Sequence, residues 1–325
     1  IVNNAAHLPI QEGVFKDGRI EDFERMKDSI RRLISVNKIK EKNVVLTIQS
    51  TSIISRDIIL PASERQMLDN MVRYEIEQHL PIVTTEYVIE YYVADEIEED
   101  GAKKYKIKVA AMPKNMVENY LNLIREIGLK PIALDIHPNA VAKLLAHTTA
   151  INGIELDKEK TSAFIDLGYR SINIHIFSKG KLAFSRIINL GARELDNEIS
   201  IACNLSMKQA ESKKIRDADL NPDGFSDLIS DTFHDVLRSQ IDIWLSEIQK
   251  IFQYYISRTT GNKIESIYLY GGSSRLHGLN SYFQHILNIP TKNIDNLNIV
   301  KPTRRAYNFN PRNYINALGG LIRYE

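Results

Sequence analysis

The sequence predicts an α/β protein of roughly two domains, with a compact α+β module over 43–138. Three observations carry this expectation. Apolar strands run into glycine turns and then into helices twice, at 161–191 and at 266–275, an alternation typical of a sheet covered by helices. Residues 43–138 hold enough strand and helix pattern for a sheet of their own. A length of 325 residues exceeds what one core usually fills.

In chain order, a short opening strand precedes a helix over 22–36, where Phe23, Met26, Ile30, Leu33 and Ile34 recur at helical spacing. "VVLTI" (44–48) and "SIISRDIIL" (52–60) read as a pair of strands closed by Pro61. Ser63 and Gln66 have capping-box spacing, and the stripe Leu68, Met71, Val72, Ile76 and Leu80 predicts a helix that Pro81 stops. "YVIEYYV" (87–93) and "KYKIKVAAM" (104–112) predict a hairpin whose acidic tip, "DEIEEDG", is a solvated turn. A helix over 114–127 ends at Gly128, "KPIALDI" (130–136) is a strand, and a further helix runs from Asn139 toward Ala146. "TTAINGIELDKEK" (148–160) reads as a polar loop and a boundary.

Strands over 161–166, 171–177 and 182–188 form a meander, with Ile172, Ile174 and Ile176 on one face. Gly191 opens a helix, and Ser206 with Gln209 caps another, "MKQAESKKIRDA". Residues 217–230 are loop-rich, and 231–258 form one long, one-sided core helix. The strand 266–270 then meets Gly271 and Gly272, with a new helix after Ser274.

Composition narrows the function classes. Lys and Arg number 42 against 41 Asp and Glu, so no global field favours nucleic acid or an anionic membrane. The single cysteine, Cys203, excludes an internal disulfide framework and a cysteine zinc site, and points to the cytoplasm. No apolar run approaches the roughly 20 residues of a membrane helix. P-loop, dinucleotide, zincin and nucleophile-elbow motifs are absent, the histidines are scattered, and the sequon at 204–206 reads as chance. The chain opens on Ile1, so it reads as a processed or incomplete copy of a longer one.

Two loops and one helix carry the candidate chemistry. In "FIDLGYRS" (164–171), Gly168 lets backbone amides approach an anion and Ser171 adds a hydroxyl. Asp166 would orient a hydrated Mg²⁺ or a water there; alternatively the stretch is a plain turn closing a hairpin. In "YLYGGSSRLHG" (268–278), two glycines at a strand end let a flat ligand or phosphate lie against the backbone. Glu211 and Lys214 share a helix face, as a solvated salt bridge would.

The order of these pieces resembles the actin-like, ribonuclease H-like ATPase fold. In that resemblance "FIDLGYRS" is the second phosphate loop, "LYGGSSRLHGL" the adenosine loop, and Glu211 and Lys214 match positions that contact ribose and adenine. "SRDIILPASERQMLDNMVRYEIEQHLPI" with "EYVIEYYVAD", the opening "AAHLPIQEGVFKDGRI" and the closing "INALGGLIR" are similar to the PilM family of type IV pilus assembly.

The resemblance implies ATP with Mg²⁺, held by Asp166, Gly168, Tyr169, Ser171, Gly191, Glu211, Lys214, Gly271, Gly272, Ser273 and Arg275, with Asp166 reaching the metal through water. It implies domain 1A from 1–42, 139–160 and 313–325, an inserted 1C-type module over 43–138, and domain 2 over 161–312. Domain 2 divides into 2A (161–204 and 262–312) and 2B (205–261). It further implies a grip on the N-terminal cytoplasmic peptide of PilN, with candidate residues at 23–80. Through PilN come the inner membrane and, indirectly, PilO, the assembly ATPase and the platform. ATP hydrolysis would be slow or absent.

Two departures stand out. The Asp-x-Gly hairpin of the first phosphate loop is missing, and Ala192 stands where relatives often have a second glycine. The rival readings are a nucleotide-free pseudo-ATPase that binds PilN and an ATP-using protein of the FtsA or sugar-kinase kind.

Overall fold

The computed structural model describes residues 1–80, 82–221, 231–258, 261, 263–306 and 308–323. It divides into two compact units, Ala6–Asp135, and Ile1–Ala5 with Ile136–Glu325. The expectations at Pro81 and over 222–230 fall outside the described residues.

In the Ala6–Asp135 unit, β1 (Phe15–Lys16) and β2 (Arg19–Ile20) form a small hairpin. Helix α1 (Phe23–Val36) starts at Asp22, whose carboxylate accepts the Arg25 amide at 3.0 Å, and it packs Met26 against Val14 and Leu123. There follow β3 (Asn43–Ile48), β4 (Ile54–Pro61), α2 (Arg65–His79), β5 (Tyr87–Glu99), β6 (Ala102–Pro113), α3 (Lys114–Glu126) and β7 (Lys130–Ile136).

The strands expected to pair at 44–48 and 52–60 belong to different sheets. β3 pairs with β7, and β4 joins an antiparallel sheet in the order β4-β6-β5. Burial decides it: Leu60, Ile107 and Val109 share a core with the Leu68, Val72 and Ile76 stripe of α2, which fixes β4 beside β6. The expected Ser63–Gln66 capping box does not form, because α2 starts one residue later, from Glu64. The Ser63 hydroxyl donates to the Pro61 carbonyl instead. The acidic tip is strand rather than turn, reversing only at Asp100–Gly101, both at positive φ. Opposite charges directly across the ladder, Glu98 with Lys103 and Asp95 with Lys106, carry the pairing through it.

In the other unit, α4 (His137–His147) leads to β8 (Ala150–Ile151) and β9 (Ile154–Glu155). These form a hairpin where a loop was expected, because Asn152–Gly153 supplies the positive-φ pair that a two-residue turn requires. Next come β10 (Ser162–Leu167), β11 (Ile172–Ser178), β12 (Lys181–Ile188), α5 (Ala192–Ala202), α6 (Met207–Asp217), α7 (Thr232–Ser257), β13 (Ser266–Tyr270), α8 (Leu279–Leu287), β14 (Thr291–Asn293) and α9 (Ile315–Gly320).

Five strands make one mixed sheet in the order β12-β11-β10-β13-β14. The expected meander is antiparallel, and β10, β13 and β14 run parallel. Alternation sorts its two faces. Ile165, Leu167, Ile172, Ile174, Ile176, Ile267 and Leu269 pack under α5, α7 and α8, while Phe164, Phe177 and Tyr270 pack with Val141 and Leu144 of α4 and Ile315 of α9. All eight stripe residues of α7, from Phe233 to Tyr255, are buried. Each such apolar side chain is worth about 1.5–3 kcal/mol when fully buried. The result is a three-layer α/β/α unit with the strand ends of β10 and β13 side by side.

Candidate functional site

Asp166 lies near the C-terminal end of β10, directly opposite Asn173 of β11 on one side and Tyr270 of β13 on the other. Its carboxylate is buried. Asn316 Nδ2 of α9 donates to its Oδ2 at 2.8 Å, and the Asn173 side chain also hydrogen-bonds it. Burial pushes the Asp166 carboxyl up to about 6, against the downward pull of these two amides. Burial, with the charge of Asp166 adding to it, also raises the Tyr270 phenol. Asn173 Oδ1, Asn316 Oδ1 and the Tyr270 hydroxyl are buried with no hydrogen-bond partner among the described residues. Waters, or the water shell of a cation, satisfy groups of this kind.

Gly271 closes the site from the β13 side. It sits at φ +85°, and a Cβ there would lie 2.3 Å from Asp166 Oδ1 and 2.9 Å from both the amide nitrogen and the carbonyl oxygen of Leu167. Only glycine lets the two strand ends meet. Gly272, one residue on, faces open space: a Cβ there would have nothing within 4 Å. Gly271→Ala is therefore expected to cost at least the ~1–2 kcal/mol of a left-handed L-residue, with displacement of Asp166 added. Gly272→Ala stays within about 0.5 kcal/mol. Thermal unfolding of the two variants checks this; equal melting points would contradict the close approach.

The helix expected after Ser274 starts later. Residues 272–275 form a short 3₁₀ turn, and α8 begins only after Gly278, itself left-handed. The Ser274 hydroxyl and amide both donate to the Gly271 carbonyl, at 2.7 and 3.3 Å, and this closes the turn before an α-helix can start. Ser273 is buried in that turn and Arg275 is exposed.

On the other side of Asp166, the loop 168–171 rests on the start of α5. The Ala192 amide donates to the Gly168 carbonyl at 3.1 Å, and the Arg193 amide to the Tyr169 carbonyl at 2.8 Å. A Cβ on Gly191 would fall 2.6 Å from the Tyr169 carbonyl oxygen, which explains the glycine. The Glu194 carboxylate accepts the Gly191 amide at 2.9 Å. Two donors at this helix start thus serve the loop itself. Ser171 is half-buried, and Tyr169 is half exposed.

Lys214 is buried and pairs with Asp196 of α5 at 2.6 Å, while Glu211, three residues earlier, is exposed. The solvated Glu211–Lys214 bridge is replaced by a buried strut between α5 and α6. Burial raises the Asp196 carboxyl even though Lys214 pulls it down. By contrast, the Ser206–Gln209 capping box expected for α6 is present.

The structure thus joins Asp166 to Gly271, and Gly168 and Tyr169 to Gly191. Gly272, Ser273 and Arg275 form the adjoining turn, and Lys214 is tied in through α5. Sequence reasoning missed Asn173, Asp196, Tyr270 and Asn316. Asn173 had a signal: it is polar in a strand whose neighbours Ile172 and Ile174 alternate with it, in a sheet apolar on both faces. Asn316 and Asp196 carry no local pattern, since only the fold brings them to the site.

The matches to known proteins span both units. The model for the type IV pilus assembly protein PilM matches residues 1–319. The chain belongs to the PilM family. Its fold is that of the actin-like ATPases. A solved structure described as the PilM-PilN type IV pilus biogenesis complex superposes at TM-score 0.80 and 20% identity, covering 98% of this chain and 91% of that one. The ethanolamine utilization protein EutJ from Carboxydothermus hydrogenoformans follows at TM-score 0.53 and 15% identity, covering 94% of this chain and 76% of that one. MreB5 of Spiroplasma citri bound to ADP matches at TM-score 0.47 and 17% identity, over 87% of this chain and 73% of that one. Among the described residues of this PilM-family chain, no helix is long and apolar enough to cross a membrane.

Proposed function

We propose that this PilM-family protein is an ATP-binding scaffold of the type IV pilus inner-membrane platform that holds the N-terminal cytoplasmic peptide of PilN. Through PilN it would meet PilO, the assembly ATPase and the membrane, working from the cytoplasm. Kinship supports the pilus role. One observation carries the nucleotide reading: Asp166, Gly168, Gly191 and Gly271 converge, with Gly271 so close to Asp166 that no side chain fits between them.

The residues present fit a hydrated Mg²⁺ and its phosphates. Asp166 would hold the ion through water, and Asn173, Asn316 and Tyr270 leave buried polar atoms beside it. A bound Mg²⁺ would supply charge to balance the phosphates. The open side of Gly272 gives a nucleotide room against the backbone, and Glu211 is exposed on α6 for a ribose. The subdomain boundaries expected from the sequence belong to this proposal.

For PilN, the region 23–80 offers α2, where Met67 and Tyr74 are exposed two turns apart on one face, at 59% and 63%. An apolar stripe of this kind suits a short peptide.

A second reading, a nucleotide-free scaffold, draws on the engaged groups: Lys214 is committed to Asp196, and the Ala192 and Arg193 amides to the loop. Thermal unfolding of the full chain with ATP and Mg²⁺ separates the two. Binding at 100 times Kd adds about 2.7 kcal/mol. A raised melting point that EDTA reverses is expected. No shift at millimolar ATP would favour the nucleotide-free scaffold.

A further inference from the structure

The contacts of Asp166 differ in kind. Asn173 and Tyr270 are its cross-strand neighbours, so they move with it as parts of one sheet. Asn316 comes from α9, 150 residues along the chain, and donates to Asp166 Oδ2 at 2.8 Å from outside the sheet. The segment leading into α9 also holds the second loop. The Arg312 carbonyl accepts the Gly271 amide at 2.9 Å, and Arg312 Nη1 donates to the Ser274 carbonyl at 3.1 Å. Residues 312–316 therefore touch both loops of the candidate site.

The far end of α9 has no slack. A Cβ on Gly319 would lie 1.9 Å from the Ala140 carbonyl oxygen of α4, so the two helices meet backbone to backbone. Ile315 of α9 and Val141 and Leu144 of α4 share one buried cluster. Packed contacts of this density transmit displacement rather than absorb it. Helix α4 begins at His137, one residue after the chain enters this unit at Ile136.

We propose that Asn316 is a positioning residue that fixes the Asp166 carboxylate and carries a change at Asp166 through α9 into α4. The inference rests on the nucleotide reading and adds its route of regulation. Whatever binds at Asp166 competes for or reorients the carboxylate that Asn316 holds; α9 then moves or stiffens, and α4 follows because Gly319 leaves no gap. The consequence reaches the start of the unit at Ile136.

Hydrogen–deuterium exchange of the full chain, with and without ATP and Mg²⁺, tests this in wild type, Asn316→Ala and Asn316→Leu. The leucine variant keeps the size and loses the donor. Trp244 fluorescence melts confirm that each variant is folded. In wild type, the ligand is expected to slow exchange in 164–171, in 315–320 and in 137–147. Asn316 borders the candidate ion site, so for each variant the ATP and Mg²⁺ concentrations are raised until 164–171 is protected as in wild type; protection at 137–147 is then lost. Protection of 137–147 that survives in both variants overturns the proposal, as does wild type protected at 164–171 but not at 137–147. Wild type with no protection at 164–171 would defeat the nucleotide reading and this inference with it, and would be visible before any variant is compared.

Discussion

Asp166→Asn is expected to abolish Mg²⁺-dependent nucleotide binding while making the folded chain more stable at neutral pH. Both effects follow from burial. The Asp166 carboxyl is pushed from its ordinary 3.8 up to about 6, chiefly because its charge is removed from water. A raised carboxyl binds more protons folded than unfolded, so its favourable contribution is fully present below pH 3.8 and is lost as pH rises through 6. Above that, the ionised group costs the fold about 3 kcal/mol. Asparagine never ionises, so the stability gap between variant and wild type should open between pH 4 and 6 and level off beyond. Urea unfolding of the nucleotide-free proteins across this range measures it. A variant less stable than wild type at pH 7.5, or a gap that does not change with pH, would contradict a buried, strained carboxylate.

Lys214→Ala is expected to destabilise the protein by about 3–5 kcal/mol. The Lys214 ammonium sits 2.6 Å from Asp196, with side chains 7% and 2% exposed. Removing one partner leaves a charge stranded between α5 and α6. The double variant Lys214→Met with Asp196→Leu removes both charges and fills the space, and should recover most of the loss. Trp244, the only tryptophan and buried in the same unit, reports the melt. A single variant within about 1 kcal/mol of wild type would show the pair to be solvated rather than structural. The outcome also bears on function. Glu211 rides on the helix that Lys214 anchors, so nucleotide affinity in the lysine variant should recover with stability in the double one.

These two residues show what a sequence can and cannot reveal. The place of Asp166 and Gly168 at a strand end was legible because the polar residue interrupts an apolar strand before a glycine, and because the strand–Gly–Gly pattern of β13 repeats the arrangement. The meander, the long α7 stripe and the Ser206 cap were legible for similar local reasons: period and spacing lie within one element. Lys214 reads from its spacing as half of a solvated pair with Glu211, and from the resemblance as a nucleotide contact; nothing in its neighbours says that the residue across from it is Asp196, eighteen positions earlier. Strand partners failed in the same way. β3 and β4 are adjacent in sequence, yet the apolar face of β4 belongs over α2, and only the complete core decides that. The capping box at Ser63 failed by a single residue, the usual scale of error at a helix end.

Nucleotide at Asp166 and PilN peptide should bind as a linked pair. Isothermal titration of the N-terminal PilN peptide into the full chain, with and without ATP and Mg²⁺, measures the link directly. A coupling of about 1–3 kcal/mol is the usual range for such sites, or about 5- to 150-fold in affinity. Linkage predicts a tighter Kd with ATP in wild type and no change in Asp166→Asn. Equal affinity with and without ATP in wild type, with nucleotide shown to be bound, would contradict it.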